Sequence, residues 1–217
     1  MSTASHIKVA GISLILGPVV TLVCYFYQQL VIYADVEWSN AASWAALSAD
    51  SGAATVVTAI IIPLALMALV YGILFIANEI RSSGNGGALA AYGVPMLLIG
   101  LTGWVLGAGM TMNVANFPEP SAAAEAVSLA LSGVNNIAGL FFSIGFAAIF
   151  FAMATRDEYN SAIANAAGAI ALVAAVLTII GMVSIDQNEV MTRIVGVTYI
   201  IHTVYAIYLG RGLITRE

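Results

Sequence analysis

Charge is what this sequence has least of. Only 8% of its 217 residues are Asp, Glu, Lys or Arg, where a water-soluble domain carries about 25%. With 61% hydrophobic residues, the chain lacks the polar surface to coat a water-soluble globule. Disorder and a disulfide-rich scaffold are excluded with it. Basic residues are scarcest: six Lys and Arg stand against eleven Asp and Glu, for a net charge of −5. No basic patch exists to attract nucleic acid. The single cysteine, Cys24, rules out an internal disulfide and any metal or iron–sulfur site built on several thiolates. Two histidines, His6 and His202, limit imidazole ligation.

What is present is long apolar runs. A helix needs about 20 apolar residues to cross a hydrocarbon core of roughly 30 Å. Six segments meet or approach that length: 8–33, 54–80, 88–112, 129–154, 160–183 and 194–212. Backbone groups in lipid must bond within their own segment, so these read as helices. Runs this continuous do not alternate as barrel strands do. The expected fold is therefore all-α: one membrane domain over residues 1–217, a bundle of six spans. Span one is longer than a signal-peptide core and no small-x-small cleavage site follows it, so it reads as retained. Pro18, Pro63 and Pro95 fall inside three spans, where each should kink or loosen its helix.

The positive-inside rule sets the orientation. With the N-terminus cytoplasmic, Lys8, Arg81, Arg156, Arg211 and Arg216 lie inside and only Arg193 outside, a bias of five to one. Both termini are then cytoplasmic, and the outer loops are 34–53, 113–128 and 184–193. The outer face is negative, carrying among others Asp35, Glu37, Asp50, Glu125 and Asp186. Arg193 follows Glu189 by four residues, a spacing that pairs them on a helix. Ser82-Ser83-Gly84-Asn85-Gly86-Gly87 is a turn by composition, and Arg156-Asp157-Glu158 barely separates spans four and five. Such tight connections make antiparallel neighbours. The loop from Asp35 to Ala53, with Trp38 and Trp44, suits a short helix at the lipid–water boundary. Phe117-Pro118-Glu119-Pro120-Ser121 breaks the chain, and Ser121 can cap a helix that runs on into span four. That helix, about 50 Å long, must project beyond the bilayer or bend at Gly133.

His202 is the most informative polar residue. It lies nine positions into span six, about 13 Å deep at the helical rise. An ionisable group at that depth raises a functional question. It shares a stripe with Thr198 and Tyr205, with Tyr199 beside it. Three readings stay open: a neutral His202 bonded to a neighbouring helix, a solute- or proton-handling group, and a haem or metal ligand. His6, at the membrane edge, is badly placed to be a second axial ligand. Span four adds Asn135 and Asn136, either interhelical glue or the wall of a cavity with His202. Tyr25, Tyr27, Gln28, Gln29, Thr58, Thr111 and Thr178 also fall in the outer half. The expectation is a shallow polar pocket, opening outward between spans one, four and six, with His202, Tyr199, Asn135, Asn136 and Gln28 as its candidate residues.

Small residues point to packing: Gly103-x-x-x-Gly107 in span three and Ala164-x-x-x-Gly168 in span five allow close helix approach, within the chain or between copies. The phenylalanines of span four (Phe141, Phe142, Phe146, Phe150 and Phe151) are explained by packing or lipid contact. No carboxylate lies deep in a span, which argues against proton pumps and most cation-coupled carriers. No deep lysine is present for a retinal, and no Gly-x-Ser-x-Gly, His-Glu-x-x-His or phosphate-loop motif appears. No catalytic role and no cofactor follow from these residues.

The opening Lys8-Val9-Ala10-Gly11-Ile12-Ser13-Leu14-Ile15-Leu16-Gly17-Pro18 and the closing Tyr208-Leu209-Gly210-Arg211-Gly212-Leu213-Ile214 resemble the ends of small six-span prokaryotic integral membrane proteins of unknown function. The resemblance implies residence in a prokaryotic plasma membrane and assigns no residue a role. The leading expectation is a non-enzymatic accessory or assembling subunit of a membrane complex, in contact with lipid and with further subunits or copies of itself. The alternative is a channel or carrier for a small neutral or weakly basic solute. A haem-binding electron-transfer subunit is the third.

Overall fold

A computed structural model describes residues 3–82, 84–117 and 121–216, and every regular element in them is helical. The helices are α1 (Thr3–Tyr27), α2 (Ala41–Asp50), α3 (Gly52–Ser82), α4 (Gly87–Ala115), α5 (Ala122–Ala154), α6 (Ser161–Val183) and α7 (Asn188–Ile214). A π-helical turn, Gln28–Ile32, extends α1, and a short 3₁₀ turn, Ile185–Gln187, leads into α7. All but α2 are long and apolar enough to cross a bilayer. The chain is a multi-pass membrane protein, an all-α bundle of six spans as its hydropathy requires.

The six long helices form a closed ring in chain order. Each packs on the next, and α7 returns to pack on α1. Glycine makes these approaches possible, because in lipid close backbone contact replaces the hydrophobic drive. At the closure, a Cβ on Gly210 would sit 2.5 Å from the Gly11 carbonyl oxygen, and one on Gly11 would sit 2.8 Å from the Gly210 carbonyl oxygen. Between α1 and α3, Gly17 lies against the backbone of Ala65 and Leu69, and Gly72 against Ala10 and Leu14. The α4–α5 seam is the most extensive. There Gly93, Gly100 and Gly103 meet α5 at Gly145, Ala138 and Phe142. The interior is filled by Leu14, Leu69, Ile73, Ile76, Phe146, Phe150, Met153 and Leu213.

Chain ends and loops follow the local signals. Ser121 Oγ accepts from the Ala124 amide at 3.3 Å and starts α5, which runs unbroken past Gly133. Its first turn reaches beyond the ring because α2 covers it: Ala45 of α2, Val114 of α4 and Ala124 of α5 form a small second core. The boundary helix expected between Asp35 and Ala53 is therefore α2, but it lies across the ends of α4 and α5. Asn40 caps it, accepting from the Ala42 amide at 3.0 Å. Trp44 packs at a tilt on Tyr33 (4.8 Å between ring centroids) and edge-on to Trp38 (5.2 Å), and the Arg193 guanidinium lies 5.8 Å from the Trp38 ring. Arg193 also pairs with Glu189 at 2.6 Å, as their spacing predicts. At the opposite end, Gly86 takes φ +85° at the start of α4, where a Cβ would strike the Ala152 carbonyl. Pro118, Glu119 and Pro120 of the expected break, and Ser83 of the expected turn, lie outside the described residues.

Replacing Gly210 with Leu should push α7 off α1. Overpacking of this kind costs about 1–3 kcal/mol, read as a lower melting temperature in detergent. Gly133→Ala is the control: a Cβ there meets nothing within 4 Å, so the melting temperature should hold or rise slightly. Equal loss in both variants would count against the glycine closure.

Candidate functional site

The ring places His202 near its axis, where it is only 7% exposed. Its Nε2 lies 3.2 Å from the Ala167 carbonyl oxygen of α6. A carbonyl only accepts, so Nε2 carries the proton and Nδ1 keeps a lone pair. The imidazole packs against Phe146 and Phe150 of α5, with 5.7 Å between ring centroids in each case. His202 thus joins α5, α6 and α7. Helical spacing puts Tyr199, Thr203 and Ala206 beside it. Together with Pro18 of α1, Leu69 of α3 and Phe146, these residues enclose a void of about 10 Å³, near the minimum for one water molecule. The Tyr199 hydroxyl is buried, with the Thr21 side chain of α1 as a polar neighbour. Thr203 Oγ donates to its own helix, to the Tyr199 carbonyl at 2.9 Å.

The other expected pocket residues lie elsewhere. Gln28 Nε2 donates to Thr58 Oγ at 2.8 Å and ties the π-helical turn to α3. Asn135 Oδ1 rests on Gly107 of α4, in the space a Cβ would fill, and is buried without a hydrogen bond. Asn136, next along α5, is half-buried. None of these three borders the void beside His202. Of the five residues, His202 and Tyr199 share one void and the other three lie apart from it. The reason is local satisfaction. Thr58, Thr111 and Thr178 bond carbonyls one turn back on their own helices, and the α2 segment folds over the mouth. A porphyrin does not fit at His202: Phe146 and Phe150 pack on the ring and Ala167 takes Nε2.

Both small-residue motifs are used inside the chain. Gly103 and Gly107 face Ala138 and Asn135 of α5. Ala164 is fully buried, and Gly168 lies under the Phe151 ring, whose Cε1 is 2.9 Å from where a Cβ would stand. The phenylalanines of α5 divide as their spacing suggests. Phe142, Phe146 and Phe150 are core, while Phe141 and Phe151 are half-buried.

A larger cavity, about 250 Å³, opens at the end of the ring that carries the termini. It is bordered by Glu79 and Ser82 of α3, by Arg156, Glu158 and Tyr159 of the α5–α6 connection, and by Arg216 after α7. Arg156 grips Glu158 with two bonds, Nε to Oε2 at 3.1 Å and Nη2 to Oε1 at 2.8 Å. Arg216 meets Glu79 at 3.1 Å and lies 5.8 Å from the Tyr159 ring. Hydrogen bonding from Arg156 holds the Glu158 carboxyl below its ordinary pKa. That pair therefore persists at neutral pH and is lost as pH falls through the lowered pKa. Burial pushes the Tyr159 phenol up, against the pull of Arg216. No sequence motif signals this cluster, because its members are 137 positions apart at the widest bridge.

In comparison with known proteins, the chain matches no family model, no curated protein and no solved structure.

With Cys24 replaced by Ser, a cysteine at position 135 should resist a membrane-impermeant thiol reagent in intact cells, since its side chain packs on Gly107. A cysteine at the exposed Ser39 should label. Labelling at position 135 would favour the outward pocket.

Proposed function

We propose that this chain is a non-enzymatic accessory or assembling subunit of a membrane complex, resident in a prokaryotic plasma membrane with both termini cytoplasmic. One observation carries the reading. His202, the titratable imidazole deep in the bundle, is committed to packing: it bonds Ala167 and lies between two phenylalanine rings. The interior around it is filled, so the chemistry available for contact lies on the outer surface. With Gly103, Gly107, Ala164 and Gly168 used internally, assembly falls to lipid-facing side chains. Leu106 of α4, Val173 and Val176 of α6, and Val197 and Val204 of α7 are each more than half exposed. The resemblance of the chain ends to small six-span prokaryotic proteins fits this placement.

A second reading, a carrier for a small solute, is favoured by the charged cavity at the terminal end and the small void beside His202 and Tyr199 deeper in the ring. In that reading the present arrangement is open at the terminal end.

Light scattering on protein extracted in mild detergent separates the two readings. Assembly predicts a protein mass above one chain, from copies or co-purifying subunits. A monodisperse single chain would contradict assembly and leave the carrier reading.

A further inference from the structure

We propose that the cavity at the terminal end binds a small zwitterion of the amino-acid type: a carboxylate and an ammonium a few ångströms apart, carried on a short apolar group. Three features of the cavity specify that chemistry. Among the described residues its charged lining is two guanidinium groups, Arg156 and Arg216, and two carboxylates, Glu79 and Glu158. These balance, so neither a simple anion nor a simple cation is favoured, whereas a molecule bearing both charges meets complementary partners on each side. Guanidinium forks suit a carboxylate, and Glu79 and Glu158 are the acceptors for an ammonium. The uncharged lining is Tyr159, Ser82 and Ile80; Ile80 is 1% exposed, so the Tyr159 ring is the surface left for the apolar portion. A space of about 250 Å³ is below the usual range for drug-sized ligands, roughly 300–1,000 Å³, and suits a molecule of metabolite size.

Position favours a ligand arriving from water over a lipid headgroup. The cavity is bordered by α3, the α5–α6 connection and the end of α7. In the ring, α1 stands between α3 and α7, and α4 stands between α3 and α5. The site therefore spans the mouth of the ring, away from the seams between neighbouring helices through which a lipid would enter. Both ion pairs are partly exposed: the Glu158 side chain is 53% exposed and that of Arg216 36%. Glu158, Glu79 and Arg216 can each turn toward a ligand group and stay partly exposed, while Arg156 is the most buried of the four, its side chain 15% exposed.

The site is separate from the outer faces used for assembly, so either proposal can fail alone. The test is thermal unfolding of the purified chain in detergent with L-leucine, leucinamide or N-acetyl-leucine, the last two each keeping one charge. Leucine should raise the melting temperature in a saturable way, and the single-charge analogues should not. Glu158→Gln, a change confined to a local pair, and Arg216→Gln should each raise the half-saturating leucine concentration roughly tenfold or more, the value of a charge-assisted hydrogen bond. Tryptophan emission and elution volume matching the parent show that each variant is folded. If Arg216→Gln fails to fold, Glu158→Gln alone decides. No shift with leucine, equal shifts with all three compounds, or an unchanged half-saturation in folded variants would overturn the proposal. Stabilisation by phosphatidylethanolamine in nanodiscs without any effect of leucine would overturn it in favour of a lipid headgroup.

Discussion

The approach of α1 to α7 at Gly11 and Gly210 is the contact on which the rest of the molecule depends. In lipid there is little hydrophobic gain from joining two apolar helices, so association relies on close backbone packing and on polar bonds. Five of the ring contacts join helices that are consecutive spans, which their connections already keep together. The sixth joins the first span to the last. It has no loop to help it and rests on two glycines whose missing side chains let the backbones touch. Closing it creates an inside. It brings Tyr199 and His202 to the axis beside Pro18 and Leu69, and it sets Arg216 against Glu79 across the mouth.

The interior thus created is mostly hydrocarbon and aromatic, and its polar groups are tied down by geometry more than by charge. His202 is held from three sides, by a carbonyl and two rings. The two ends of the ring differ. One is covered by α2, with Trp44 packed between Tyr33 and Trp38 and Arg193 over the Trp38 ring. The other holds the open charged cavity. A protein with a packed middle, one capped end and one polar mouth has surfaces for partners around its circumference and a place for a small ligand at its terminal end.

Much of the fold is legible in the sequence, because lipid imposes a length and a polarity on each span that soluble proteins escape. The six spans, the Ser121 cap and the Glu189–Arg193 pair all arise from spacing along one helix. What is not legible is which helix faces which. Gly103-x-x-x-Gly107 announces a close approach without naming Asn135 and Ala138 as its partners, and Gly11 and Gly210 carry no motif at all. The placement of the candidate pocket residues was hidden for a related reason. Residues at matching depth need not share a face: Gln28 turns to Thr58, Asn135 to Gly107, and His202 to Ala167. The cavity around Arg156 and Arg216 was invisible because its groups come from segments far apart in the chain and read singly as loop charges.

Ring closure can be measured directly. Glu79 of α3 and Arg216, two residues past the end of α7, come from the elements flanking α1 and meet at 3.1 Å. In a Cys24→Ser background, the pair Glu79→Cys and Arg216→Cys is joined with a short bifunctional maleimide in native membranes. The chain is then cut at a protease site placed in the 117–121 connection. A closed ring predicts that the two halves stay together as one band on a denaturing gel, while either single-cysteine variant separates. Separation of the halves in the double variant would show that α7 does not return to α1 and would contradict the account.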